Sequence, residues 1–581
     1  MLKMSVVSPS IRVADVKFNT QTLLSEIESA SKEGVELLVF PRLAICGCTC
    51  GDLFFQPTLI AACKESISAL GKATANKKTV AVIGAPVEKD GALYDCAVFL
   101  GGGEVLGIIC NPAPQSRWFE KGEKEQEAVE AFGLKIAVAF DEKTVRTDAE
   151  ITVHLPASFE LVRSAKIRTE ALKKLSYETP CAILSVCPNV GESSTDGVYS
   201  GHALILSEGE VLSGALPFQQ GRATADLNVD ALQNARRQRI LRKYPVKEKK
   251  EILSPVPFLP TEEEREEYCQ TALEIQAQGL ARRLAQIGAK TAVIGVSGGL
   301  DSTLALLVTA RAFDLLNKDR KEIVGITMPG FGTTGKTYQN ALRLIKTLGA
   351  TLREIPIAES VTVHFKDIGH NGKKTDAAYE NAQARMRTLI LMDVANMENG
   401  IVVGTGDLSE LALGWCTYNG DHMSMYSVNA SVPKTLVKYL VAYLSEKTDG
   451  ALKEVLFSVV NTEISPELLP PDEKGNIKQK TEDLVGPYEL HDFYLYHAIY
   501  RKQPPKEVFA LAKQAFEGKY ADDILKKWLK NFYRRFFTQQ FKRSCSPDGV
   551  QVTCLSLSPR GAWQMPSDAV GTLWIEELES L

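Results

Sequence analysis

The chain has 581 residues, more than one compact core holds, so two or more domains are expected. Hydrophobic residues at 45% and charged residues at 24% are ordinary for globular protein, and a net charge of −4 excludes a broad basic surface for nucleic acid. No uninterrupted apolar stretch reaches the roughly 18–20 residues that cross a bilayer, and the N-terminus MLKMSVVSPSIRVAD lacks the apolar core of a secretory signal, so the expected location is cytoplasmic, with no membrane partner.

Residues 1–227 read as short apolar strands alternating with helical stretches. Candidate strands are Leu37–Phe40, Val80–Gly84, Ala97–Leu100, Ile136–Phe140, Ala182–Val186 and Ala203–Leu206, with helical patterns at Thr20–Lys32 and Ala61–Ala75. Runs such as AVIG and AILSV are apolar on both sides of the pleat, which predicts strands covered on both faces in an α/β layer structure. The 12 cysteines show no repeating spacing; Cys46, Cys48 and Cys50 cluster, but no histidine or second cluster completes a four-ligand set, so they read as buried or half-buried thiols.

Residues 228–261 form a charged stretch broken by Pro245, Pro255, Pro257 and Pro260, which predicts a linker or solvated arm, with a new domain over 262–581. That domain opens with a helix ending near Gly288. It continues with strands at Thr291–Val296, Ile323–Met328, Leu352–Ile357 and Ile401–Gly404, each preceded by a helical segment, the alternation of a doubly wound parallel sheet.

The segment TAVIGVSGGLDSTLALLVTAR, residues 291–311, is the most informative. An apolar strand runs into Ser297-Gly298-Gly299, and a helix starts near Leu300. The glycines let successive N–H groups converge, and the helix adds its positive end, a cradle for phosphate. Asp301 would repel phosphate unless a cation lies between, so it predicts Mg²⁺. No lysine follows the glycines, so this is not the kinase-type GxxxxGK[ST] loop.

The loop resembles the SGGxDS loop of the ATP-pyrophosphatase family, whose members cleave ATP between the α and β phosphates. Further segments are similar to NAD synthetases: 327–338, 380–388, GTGDLSELALGWCTYNGDHMSMY at 404–426, Pro433-Lys434-Thr435, ISPELLP at 464–470, TEDLVGPYELHDF at 481–493 and QQFKRS at 539–544. The resemblance implies ATP-dependent amidation of deamido-NAD to NAD through an acyl-adenylate, releasing AMP and pyrophosphate. It implies that Gly295, Val296, Ser297, Gly298, Gly299, Leu300, Asp301 and Ser302 cradle ATP, with Thr405 and Lys434 as further contacts. Asp301 and Glu410 are implied magnesium carboxylates. Asn381, Arg385, Glu410, Trp415, Tyr418 and Lys542 are implied on the deamido-NAD side, and Asp301, Lys434 and Lys542 in catalysis.

The N-terminal half resembles the nitrilase superfamily in VFPRLAICGCTCGDLFFQP at 39–57, SRWFEKG at 116–122 and GESSTDGVYSGHALI at 191–205. That superfamily uses a glutamate base, a lysine and a nucleophilic cysteine, which in this class release ammonia from glutamine. Here Arg42 stands where the glutamate is expected, Asn111 nearest the lysine, and Ala139 or Phe140 at the cysteine. Cys110 and Cys46 are conceivable substitutes without a base in place. The expectation is a degenerate glutaminase and an enzyme fed by free ammonia or a separate donor protein, assembled as a homo-oligomer. The alternatives are a glutamine-dependent enzyme with unrecognised glutaminase residues, another amidating or thiolating member of the phosphate-loop family, and a non-catalytic scaffold.

Overall fold

The computed structural model describes residues 1–114, 116–122, 128–145, 148–219, 221–237, 244, 253–331, 335–462 and 484–581. The ISPELLP segment, the first three residues of TEDLVGPYELHDF, residues 332–334 and most of 238–252 lie outside the described residues. The chain divides into two compact units, one of Met1–Ser193 with Val198–Lys249, the other of Ser194–Gly197 with Lys250–Leu581. Within the expected arm after residue 227, the first unit carries the helix Val229–Arg237.

The first unit holds strands β1 (Leu2–Ser8), β2 (Leu37–Val39), β3 (Val80–Lys89), β4 (Ala92–Gly101), β5 (Glu104–Cys110), β6 (Val129–Ala131), β7 (Leu134–Ala139), β8 (Ile151–His154), β9 (Ala182–Val186), β10 (Ala203–Ser207), β11 (Glu210–Ala215) and β12 (Gly221–Leu227). They form two sheets in the orders β12-β1-β2-β3-β4-β5 and β11-β10-β9-β8-β7-β6. Alternate residues of both sheets, among them Met4, Val39, Phe99, Ile136, Val153 and Ile205, share one buried core. The residues between them face outward onto helices: Leu38, Phe40, Ile83 and Leu100 meet Leu23 and Ile27 of α1 (Val16–Lys32) and Leu59 and Leu70 of α2 (Pro57–Ala73). Ile183 and Leu206 meet Leu172 of α3 (Ser164–Glu178). The two-sided apolar runs are therefore strands of a helix–sheet–sheet–helix sandwich, with α4 (Val229–Arg237) closing one edge of the core through Leu232.

Cys46 and Cys50 are buried and Cys48 half-buried. Cys96 and Cys110, opposite each other on β4 and β5, are joined in a disulfide that the scattered cysteine spacing did not announce.

The second unit centres on a parallel sheet of β13 (Thr291–Gly295), β14 (Ile323–Thr327), β15 (Thr351–Glu354), β16 (Gly400–Gly404) and β17 (Tyr426–Ser427), in the order β15-β14-β13-β16-β17. Helix α5 (Arg265–Ile287) ends at Gly288, whose φ of 62° is the left-handed cap that glycine adopts without strain. Helix α6 (Leu300–Leu315) follows β13, α7 (Gly335–Thr347) follows β14, and α8 (Ala358–Asp367) and α9 (Ala377–Met397) lead from β15 to β16. Strand order reverses between β13 and β16, so the loops after these two strands open a crevice at the carboxyl end of the sheet. A helical layer is held by Phe493, Tyr494, Leu525, Phe532 and Phe536.

Candidate active site

The crevice holds a cavity of about 550 Å³. Gly298 shapes the loop beside it: φ is +90°, and a Cβ there would lie 2.0 Å from the Thr337 carbonyl oxygen, so only glycine fits the turn. Gly299 caps α6, whose first turn carries Asp301 and Ser302. Across the crevice, β16 ends at Gly404, and Asp407 caps α10 (Leu408–Leu413) by accepting from the Glu410 amide at 2.8 Å. Lys434 is the first residue of α11 (Lys434–Lys447).

These three helix starts converge. Lys434 Nζ, with its side chain 3% exposed, donates to Asp301 Oδ2 at 2.7 Å and Glu410 Oε1 at 2.9 Å. Asp407 Oδ2 lies 2.7 Å from the same nitrogen as an ion pair, outside hydrogen-bond geometry. The Tyr488 ring centroid is 5.2 Å from the ammonium. Burial alone would push the Lys434 ammonium down, but Asp301, Asp407 and Glu410 together outweigh it and hold it well above its ordinary value. Burial raises Asp407 well above the carboxylate range and Glu410 to about 7, against the pull of Lys434.

A divalent cation fits this group. Asp301, Asp407 and Glu410 each bring an oxygen within 4.8 Å of the others, and Asp301 Oδ1 is buried with no hydrogen-bond partner among the described residues. A cation among the three carboxylates would offset the burial and mutual repulsion that raise Asp407 and Glu410, and all donors are the hard oxygens Mg²⁺ takes.

Of the residues the sequence nominated, Gly295, Val296, Ser297, Gly299, Leu300, Asp301, Ser302, Asn381, Thr405, Glu410, Trp415, Lys434 and Lys542 line the cavity. Gly298, Arg385 and Tyr418 do not. Gly298 faces the Thr337 backbone, as its clash shows. Arg385 is exposed and donates to the Tyr418 carbonyl at 3.2 Å, while the Tyr418 ring packs on His422 and Phe541. Arg387, two residues along α9, lines the cavity instead and donates to the Met328 carbonyl. Lys542 Nζ donates to the Gly414 and Cys416 carbonyls at 2.8 and 2.6 Å, and Arg535 lies 5.3 Å over the Trp415 ring. Sequence reasoning also passed over Asp407, Asp421 and Asn429. Asp407 stands in the quoted GTGDLSE segment immediately before the helix, an N-cap signal that was available. Asn429 Nδ2 donates to the carbonyls of Asp301 and Thr405, tying the two loops together, and no local pattern marks it.

The NAD synthase family matches residues 272–537, and the carbon-nitrogen hydrolase family matches residues 3–131. Over 657 aligned residues the chain is 33% identical to the glutamine-dependent NAD(+) synthetase of Mycobacterium leprae, spanning 98% of this chain and 96% of that one. The chain belongs to the two-domain NAD synthetase family. It is accordingly an ATP-dependent ligase with a nitrilase-like first unit. It is also 26% identical to the Aquifex aeolicus glutamine-dependent NAD(+) synthetase, over 97% of this chain and 99% of that protein. The crystal structure of a glutamine-dependent NAD(+) synthetase from Cytophaga hutchinsonii shares the fold, at TM-score 0.79, 18% identity and full coverage of both chains.

In the synthetase's first unit, three of the four positions expected to be degenerate meet. Arg42 pairs with Asp95 at 2.5 Å, and Asn111 Nδ2 donates to the same Asp95 oxygen at 3.0 Å. The Arg42 guanidinium lies 5.7 Å from the Phe140 ring centroid. Ala139, fully buried, ends β7 opposite His154 of β8. Neither substitute thiol is poised to attack. Cys110 is in the disulfide, and Cys46 is held protonated by hydrogen bonding with Cys50 and Cys63 and by burial. Burial does the same to Cys48, beside Glu192.

Proposed function

We propose that the chain converts deamido-NAD to NAD in the crevice of the second unit, with free ammonia as the nitrogen donor. Ser297, Gly299 and the start of α6 would receive the ATP phosphates. Asp301, Asp407 and Glu410 would hold Mg²⁺, which supplies charge neutralisation on the phosphate oxygens. Lys434, released from part of its carboxylate cage, would face the charge developing on the pyrophosphate. A nicotinate carboxylate oxygen attacks the α-phosphorus, the bond to the β-phosphate bridging oxygen breaks, and pyrophosphate leaves. The ammonia nitrogen then attacks the acyl carbon, AMP departs and one proton is lost. Asn381, Arg387, Trp415 and Lys542 also line the cavity and would orient the nucleotide. The observation that carries this reading is the Lys434 cage at the point where strand order reverses.

The ammonia reading is supported by the Arg42–Asp95–Asn111 cluster. A guanidinium stays protonated and cannot accept the nucleophile's proton, and Ala139 has no thiol. Loss of a nucleophile alone costs on the order of 10⁶ in kcat. The second reading is glutamine dependence, which the names of the relatives favour. NAD formation by the purified chain, with ammonium chloride or glutamine as sole nitrogen source, separates them. Turnover with ammonium and none with glutamine is expected, along with no labelling of the first unit by a glutamine-analogue electrophile. Efficient glutamine use overturns the ammonia reading and leaves NAD synthesis standing.

A further inference from the structure

The YELHDF part of the 481–493 segment carries a polar residue that the reaction chemistry leaves unused. Asp492, on the helix Tyr488–Tyr494, is 1% exposed. One carboxylate oxygen accepts from the Ser409 hydroxyl; the other accepts from the Thr435 amide at 2.9 Å and the Thr435 hydroxyl at 2.7 Å. Ser409 Oγ in turn accepts from the Lys434 amide at 2.8 Å. A single buried carboxylate thus grips the residue before Glu410 and the residue after Lys434.

We infer that Asp492 is a positioning residue that fixes the spacing between the starts of α10 and α11, and so the placement of Glu410 against Lys434. The inference rests on the site reading above. Without this carboxylate, the Ser409 hydroxyl that accepts from the Lys434 amide would lose its own anchor, and the two helix starts could shift when the Lys434–Glu410 ion pair opens to admit phosphate. Charge-assisted bonds to a buried carboxylate hold the backbone while the side chains change partners. The same helix supplies Tyr488 beneath the Lys434 ammonium, so one rigid element sets the height and direction of the lysine.

The test compares the full chain with its Asp492→Asn, Thr435→Val and Thr435→Ser variants, using ammonium as donor. A displacement of about 1 Å in a reacting group costs roughly 10²-fold in rate. Asp492→Asn and Thr435→Val are therefore expected to lower kcat, by about 10- to 100-fold and about 3- to 10-fold respectively. The KM for ATP and for deamido-NAD should stay within about threefold, and Thr435→Ser, which keeps both donors, should recover the rate. Thermal melts identify any variant that is unfolded; if Asp492→Asn does not fold, the Thr435 pair decides. Unchanged kcat in the folded variants, or an equal loss with Thr435→Ser, overturns the inference. An inactive parent chain instead overturns the functional reading on which it rests.

Discussion

Removing the Lys434 ammonium would strand Asp301, Asp407 and Glu410 beside one another without the cation that pairs with all three. Mutual repulsion then raises their affinity for protons, and Asp301 at the phosphate loop loses its paired ammonium. Lys434→Met is expected to lower NAD formation by roughly 10²–10³-fold, the scale of losing one preorganised charge in a closed site. Steady-state assays with ammonium check it, and near-normal turnover would remove Lys434 from the chemistry. In the first unit, Asp95 is fully buried and Arg42 is its cation. Arg42→Glu restores the residue type that a nitrilase base requires, yet it sets a second carboxylate against Asp95 and leaves Ala139 without sulfur. It should cost about 3–5 kcal/mol, read as a lower urea midpoint, while glutamine-supported turnover stays absent. The signal for Arg42, Asn111 and Phe140 was legible because each interrupts a segment of known chemistry. That they converge on Asp95 was not, because Asp95 comes from a strand with no motif.

At the scale of elements, β3 lies so close to the turn carrying Arg42 that a Cβ on Gly84 would meet the Leu43 nitrogen at 2.3 Å and the Pro41 oxygen at 2.4 Å. Both are backbone atoms and give little. Gly84→Ala is expected to destabilise the first unit by roughly 1–3 kcal/mol, seen as a shift in its urea transition without a change in fold. The apolar pattern announced β9 as Ala182–Val186 to the residue, and it found β13, β14 and β16 within a residue or two. It missed β1, β5, β6, β8, β11, β12 and β17. β5, β6, β11 and β12 are edge strands with partly exposed sequences, and β8 and β17 are only four and two residues long. Strand Leu352–Ile357 ends three residues early, because its last apolar residue, Ile357, is buried as the residue leading into α8. The phosphate loop was legible for a different reason: a glycine that must take φ of +90° leaves a mark in the sequence that no packing argument is needed to read. Asp492 and Asn429 act through partners distant in sequence, so nothing local could expose them.

Across the whole molecule, buried histidines link stability to pH. Burial, with Arg168 nearby, lowers His154 to about 3 and His202 to about 4 in the first unit. Burial lowers His491 to about 4 in the second, where its Nε2–H donates to the Val485 carbonyl. A depressed folded value means that the unfolded chain binds the proton first. The stabilisation is complete above the unfolded value of 6.5 and is lost as pH falls from there towards 4. Each group contributes up to about 1.4 kcal/mol per pH unit in that window. Both units are expected to melt at lower temperature at pH 5 than at pH 7.5, and the second unit's share should diminish in His491→Gln. A Tm independent of pH between these values would contradict the assignment of neutral, buried imidazoles.

The central claim is that the Lys434 carboxylate cage activates the deamido-NAD carboxylate with ATP, and this step can be isolated by withholding every nitrogen donor. The decisive measurement is exchange of labelled pyrophosphate into ATP, with deamido-NAD and magnesium present and neither ammonium nor glutamine. Exchange is expected to require deamido-NAD and to disappear in Asp301→Ala. Exchange that proceeds without deamido-NAD, or that survives loss of the Asp301 carboxylate, would contradict it.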